Sequence, residues 1–152
     1  MLIAGSLALG LAGLACTNDE GRDGTVTLTL EGLAGLEAQV PAGTVVSNNA
    51  MGIGVMLTGP GVSVTVGPAL DVDARSLAAA KKNAESYAPT NVEEEALPDG
   101  YILTYESEGS SGPNYWLVGR RELTNAVYSC GVRSPKKAHQ RSAIAICKSL
   151  KE

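Results

Sequence analysis

The sequence predicts an α+β fold: an antiparallel β-sheet with a middle helix and a C-terminal helix packed on it, an α/β sandwich. Three observations carry that expectation. Residues 25–30, Thr-Val-Thr-Leu-Thr-Leu, alternate strictly between polar and apolar, the period of a half-buried strand. Residues 101–132 read as three β segments joined by turns. The stretches 71–87 and 134–151 instead space their apolar residues at helical intervals.

Taken in order, residues 25–30 form the first strand, broken by Gly32 and Gly35, and 36–40 a shorter second strand stopped by Pro41. A fragment at 44–46 precedes two better strands, 51–57 and 62–66, whose Thr58-Gly59-Pro60-Gly61 join reads as a hairpin turn. Asp71 or Asp73 caps the middle helix, which presents Leu77, Ala80, Ala84 and Tyr87 on one narrow face and ends at Ala88-Pro89. Residues 92–97 carry Glu93, Glu94 and Glu95; an extended chain sends neighbours to opposite sides, so this is a solvated edge strand and not a cation site. Pro98-Asp99-Gly100 then turns the chain into a meander, 101–106, 115–123 and 126–132, with a loose loop at 109–114. If the strand faces coincide, Tyr101, Tyr105, Tyr115 and Tyr128 gather on one side, beside Cys130. The last helix starts with Ser134 as N-cap and Pro135 at its first position, and buries Ala143, Ile144, Ile146, Cys147 and Leu150.

The leader reads differently. No residue from Met1 to Ala15 is charged. Crossing a bilayer takes about 18 or more apolar residues, so the run is too short for an ordinary transmembrane helix. It has the length of a signal-peptide core and ends in small residues. Gly13-Leu14-Ala15-Cys16, followed by an acidic linker, resembles the processing site of bacterial lipoproteins, in which the chain is cut before a cysteine that becomes acylated. The resemblance implies a signal peptide over 1–15, a lipidated Cys16 opening a flexible tether over 16–24, and one domain over 25–152. It implies a membrane anchor in the bacterial cell envelope, and Thr17 after the cysteine implies the outer membrane, facing the periplasm. Each buried CH₂ of an acyl chain adds about 0.8 kcal/mol, so two chains suffice for stable anchoring. Gly13-x-Ala15 equally suits an ordinary signal peptidase, which leaves a secreted soluble protein as the alternative and a buried N-terminal helix as a third reading.

With Cys16 assigned to lipid, an even pair remains, and an oxidising compartment makes a Cys130–Cys147 disulfide the default. A loop of that size is worth about 3 kcal/mol in the chain-entropy account. The net charge of −4 argues against non-specific nucleic-acid binding. Residues 25–100 hold nine acids and three bases, and 101–152 four acids and eight bases, an asymmetry that interleaving of the halves in one fold would cancel.

Few groups suggest chemistry. His139 is the sole histidine and sits at the margin of the last helix, without the partners of a metal site or triad. Ser134-Pro135-Lys136-Lys137 matches the SxxK of some acyl-enzymes, but their companion motifs are absent. Arg133, Lys136, Lys137 and Arg141 surround the start of that helix, where backbone N–H groups favour anions, and form a candidate anion or partner contact. The tyrosines, with Trp116, form a candidate aromatic pocket, although in a chain without phenylalanine they also supply core volume.

The second half resembles the PsbP-like α/β sandwich family, which includes small envelope lipoproteins. The resemblance rests on Leu97-Pro-Asp-Gly-Tyr-Ile-Leu-Thr-Tyr105, Tyr115-Trp-Leu-Val-Gly-Arg-Arg121, Ala126-Val-Tyr-Ser-Cys130 and Ala145-Ile-Cys-Lys-Ser-Leu150. It implies an accessory or binding role and transfers no functional residue. The preferred reading is therefore a membrane-anchored, non-catalytic binding or assembly module for an unidentified envelope protein, with no cofactor and no metal. The alternative is an inhibitor or immunity-type lipoprotein that blocks a toxin or hydrolase. An enzyme is disfavoured, since no convergent catalytic set appears.

Overall fold

The structure is a computed structural model that describes residues 24–152. The leader expected over 1–15, Cys16 and the tether up to Asp23 lie outside them. The described chain forms an α+β sandwich. Strands β1 (Thr25–Thr29) and β2 (Glu37–Pro41) pair only with each other. The strands β3 (Val45–Asn48), β4 (Val55–Gly59), β5 (Val62–Pro68), β6 (Thr90–Leu97), β7 (Gly100–Gly109), β8 (Gly112–Glu122) and β9 (Val127–Ser134) make one seven-stranded antiparallel sheet, in the order β3-β4-β5-β9-β8-β7-β6. Helix α1 (Leu77–Ala84) runs into a 3-10 turn at Glu85–Tyr87, and α2 (Lys137–Ser149) follows β9. Most neighbours in the sheet are hairpins. The exception is β5 beside β9, with Thr65 opposite Gly131 and Val66 opposite Cys130, which joins the two halves of the chain.

Alternation divides the sheet into two faces. On one, Leu57, Val64, Val66, Ile102, Leu117, Tyr128 and Cys130 are buried against Ala143, Ile146, Cys147 and Leu150 at α2, and against Leu30, Leu33, Leu36, Ala38 and Val40 of the β1–β2 hairpin. Helix and hairpin thus lie side by side, stitched by Gln39 N donating to Ser149 Oγ at 2.9 Å and by the bridge between Glu37 and Lys151. Each buried leucine or valine contributes roughly 1.5–3 kcal/mol, so this layer is the main source of stability. On the opposite face Ala80 and Ala84 of α1 pack on Tyr101, Leu103 and Tyr105 of β7. Alanine lets the helix lie close to the sheet.

Helix α1 is shorter than its apolar stripe suggests. Ser76 caps it, accepting from Ala79 N at 3.2 Å, while Asp73 accepts from Leu70 N in the turn before. Ala88 ends the 3-10 turn with φ 47°. The strand expected over 51–57 begins only at Val55, because Gly52 and Gly54 turn the chain at φ 74° and 76° and leave Met51 83 % exposed. The loop expected at 109–114 is instead a tight turn, with Gly109 paired to Gly112. The C-terminal helix does not start from Ser134. That residue still pairs with Tyr115 in the sheet, and Lys136 is extended at φ −111°, so helix begins at Lys137. The Ser134 hydroxyl accepts from Lys136 N at 3.1 Å, a local turn in place of a helix cap.

The three glutamates of β6 take opposite sides, as expected. Glu94 pairs with Lys81 of α1 and Glu95 with Lys148 of α2, each at 2.6 Å. Such half-exposed pairs contribute little energy. Charge on the edge does prevent β6 from templating another sheet.

Cys130 of β9 and Cys147 of α2 form a disulfide. Gly119 opposes Cys130 in the sheet, and a Cβ there would come within 2.7 Å of Cys130 Sγ. The missing side chain makes room for the bridge. Gly119→Ala is expected to cost about 1–3 kcal/mol through overpacking, read as a lower urea midpoint at unchanged slope. Equal midpoints would show that the bridge moves aside freely.

Candidate functional site

Because α1 packs mainly on β7, the sheet face it shares stays largely open over β4, β5, β9 and β8. A groove of about 490 Å³ runs there. Met56 lies on β4, Ser63 and Thr65 on β5, Ser129, Gly131 and Arg133 on β9, and Trp116, Val118 and Arg120 on β8, with Asp73, Ala74 and Tyr101 at one end. Each of these strand residues alternates with a core residue facing α2. The volume falls within the range of small-molecule sites.

The register sets the floor plan. Across the middle run Met56, Thr65, Gly131 and Val118, each opposite the next. Trp116 opposes Arg133 towards one end and Arg120 opposes Ser129 towards the other. At Gly131 an added Cβ would touch only Leu117 O, at 3.3 Å, so glycine keeps the floor low.

The Trp116 end is a tight aromatic cluster. Tyr105 stacks on the indole with centroids 5.4 Å apart, Tyr87 lies at 4.7 Å, and the indole N–H donates to Ser107 Oγ at 2.8 Å. The Arg133 guanidinium sits 4.8 Å from the same ring, a cation–π contact worth about 0.5–1 kcal/mol at an exposed site. Burial first, and then the neighbouring Tyr87, pushes the Tyr105 hydroxyl up to about 12 against the opposing pull of Arg133, so it stays a neutral phenol at physiological pH. At the other end Arg120 Nε donates to Glu122 Oε1 at 3.0 Å. The Tyr101 hydroxyl donates to Ala74 O at 2.7 Å and pins the loop that closes the groove.

Strand parity separates the four tyrosines expected on one face. Tyr101 and Tyr105 face α1, whereas Tyr128 lies in the α2-side core, its hydroxyl 3.4 Å from Leu33 O. Tyr115 shares the parity of Leu117 and lies under the Lys137 ammonium, at 5.7 Å. Of the four, only Tyr101 lines the groove. The basic cluster divides as well: Arg133 faces the groove, Lys137 pairs with Glu106 at 3.3 Å, and Lys136 and Arg141 are exposed at α2. Ser134 Oγ lies 2.8 Å from His139 Nδ1 and is buried, while the Lys137 ammonium is engaged by Glu106, so the SxxK residues are not assembled as nucleophile and base. Among the described residues no three His, Cys, Asp or Glu side chains converge on a metal position, and no helix is long and apolar enough to cross a membrane.

Sequence reasoning missed Arg120, Val118, Ser129, Gly131, Met56 and Thr65. A usable signal was present: the outward parity of 116–120 and 129–133 reads Trp, Val, Arg and Ser, Gly, Arg, too varied for a buried face and too apolar for a solvated one. Comparisons with protein-family models and with curated proteins return no match.

Proposed function

We propose that this chain is a lipid-anchored protein of the bacterial cell envelope whose domain is a non-catalytic binding module, and that the groove is its contact surface. The observation that carries the reading is the uncovered sheet face itself: a concave surface of about 490 Å³ with an aromatic platform and two arginines. The disulfide supports the rest. It accounts for two of three cysteines, as acylation of Cys16 requires, and such bridges belong to oxidising compartments. A sheet carrying helices on both faces is in keeping with the PsbP-like resemblance and its accessory role. Thr17 after the cysteine, taken with the lipoprotein resemblance, supports placement at the outer membrane, facing the periplasm.

Two measurements on the full chain, produced in a bacterium that processes lipoproteins, test this. The intact mass of the membrane-bound form is expected to be that of a chain starting at Cys16 with acyl groups added. A photo-crosslinking residue replacing Ser129 is expected to trap a protein or a small molecule, and the same residue replacing Arg141 to trap none. An unacylated soluble product would remove the anchor; adducts from position 141 alone would move the contact surface to α2.

A further inference from the structure

We infer that the groove takes a small amphiphilic anion, with its acidic head at Arg133 and its apolar body over Gly131 and Val118. This deepens the reading of the groove as the contact surface and rests on it.

The two ends of the groove differ in charge. At one, Arg120 is paired with Glu122, and the Asp73 carboxylate lies in the same wall. At the other, Arg133 makes no ion pair among the described residues, and its guanidinium is held over Trp116. A guanidinium stacked on an aromatic face keeps its edge N–H donors available and is already ordered, so binding an oxyanion there costs little extra entropy. The neutral Tyr105 phenol behind it adds no competing negative charge.

The middle of the groove suits an apolar body. Val118 and Thr65 flank Gly131, with Met56 beyond Thr65, and the missing side chain of Gly131 gives the depth. From the Trp116 row to the Arg120 row is four residues of β8, roughly 13 Å at the rise of a strand. That span fits a short acyl chain or two fused rings. The loop held by the Tyr101 hydroxyl donating to Ala74 O bounds one end of that span.

Trp116 is the only tryptophan in the chain, so its fluorescence reports on the site directly. Octanoate and its neutral isostere octanamide, titrated into the full chain, are the probes. Octanoate is expected to give a saturable change in Trp116 emission and to bind at least ten-fold tighter than octanamide. Arg133→Gln is expected to reduce octanoate to the octanamide level without lowering Tm. Gly131→Leu, which fills the floor, is expected to abolish both; Ser129→Leu, which builds from the wall, is the second blocking variant should Gly131→Leu unfold the chain. Equal binding of acid and amide, or a preference for the acid that survives Arg133→Gln, would overturn the inference. So would the absence of any response to either probe in the folded, disulfide-intact protein. In that event crosslinks from position 129 would still stand, so the two readings fail separately.

Discussion

Replacing Arg121 with methionine is expected to lower stability by about 3 kcal/mol, a fall of roughly 10 °C in Tm for a domain of this size. Arg121 projects from β8 on the α2 side and makes four hydrogen bonds. Nε and Nη2 donate to the Asp99 carboxylate at 3.0 and 2.7 Å, and Nη1 donates to Cys147 O and Lys148 O at 2.7 and 2.8 Å. One guanidinium therefore ties the turn before β7 to the last carbonyls of α2, where the helix dipole favours positive charge. Methionine keeps the packing of the stem but leaves the carboxylate and both carbonyls without their partner. The Arg121 side chain is 11 % exposed and that of Asp99 30 %, so water relieves part of the cost and the lower end of the usual range applies. Arg121→Lys is expected to recover only part of the loss, because a point-like ammonium cannot span both groups. A change below about 1 kcal/mol in Arg121→Met would show that the clamp adds little to the apolar layer.

The same clamp sets an acid limb. The hydrogen bonds from Arg121 hold the Asp99 carboxyl below its ordinary 3.8, against a smaller opposing effect of burial. A carboxylate lowered on folding contributes fully above its unfolded value, and the contribution is lost as pH falls from there through the folded value. Stability should therefore drop below about pH 4. Asp99→Asn should be less stable at neutral pH and show a shallower acid decline; parallel curves for the two proteins would refute the assignment.

Reduction of Cys130–Cys147 is expected to cost about 3 kcal/mol without unfolding the domain. The bridge spans 17 residues, and the chain-entropy account attributes its effect to restricting the unfolded ensemble. The native contacts of α2 do not depend on it alone. Gln140 Nε2 donates to Trp116 O at 2.7 Å near one end of the helix, Arg121 holds the other, and Ala143 and Ile146 are buried between them. Both cysteines are nearly inaccessible, at 4 % and 0 %, so a reductant reaches them only through an opening and should act faster as denaturant is added. Identical melting with and without reductant, after the free thiols are confirmed, would show that the bridge contributes nothing beyond the core.

The elements of this fold were largely legible because each rests on local periodicity. The turn at Pro98-Asp99-Gly100 and the glutamates of 93–95 behave as their spacing dictates, whereas residues 25–29 form a strand but leave Val26 41 % exposed, so the alternation there does not mark a fully inward apolar face. Boundaries failed where a backbone partner outside the segment decided them. Ser134 is a good helix cap by type, yet its pairing with Tyr115 keeps it in the sheet. Tyr115 and Tyr128 were grouped with Tyr101 and Tyr105 because the sequence has no mark for register, and a shift of one residue exchanges the faces.

By itself, the sequence determined the α+β class, both helices and the meander, since these follow from hydrophobic period and turn chemistry; the pairing of Cys130 with Cys147 followed only once the lipoprotein resemblance had set Cys16 aside. Only the tertiary structure decided that β5 lies beside β9, and the groove depends on that one long-range pairing. It sets Thr65 against Gly131 and so places Met56 and Val118 around the same floor. It also decided that α1, stopped at Ala84 and carried on only by one 3-10 turn, covers β7 and leaves Trp116 and Arg133 at the edge of an open face. The physical reason is that side-chain period reports which residues share a face of their own strand, while the neighbour of that strand is chosen by burial summed over the whole sheet.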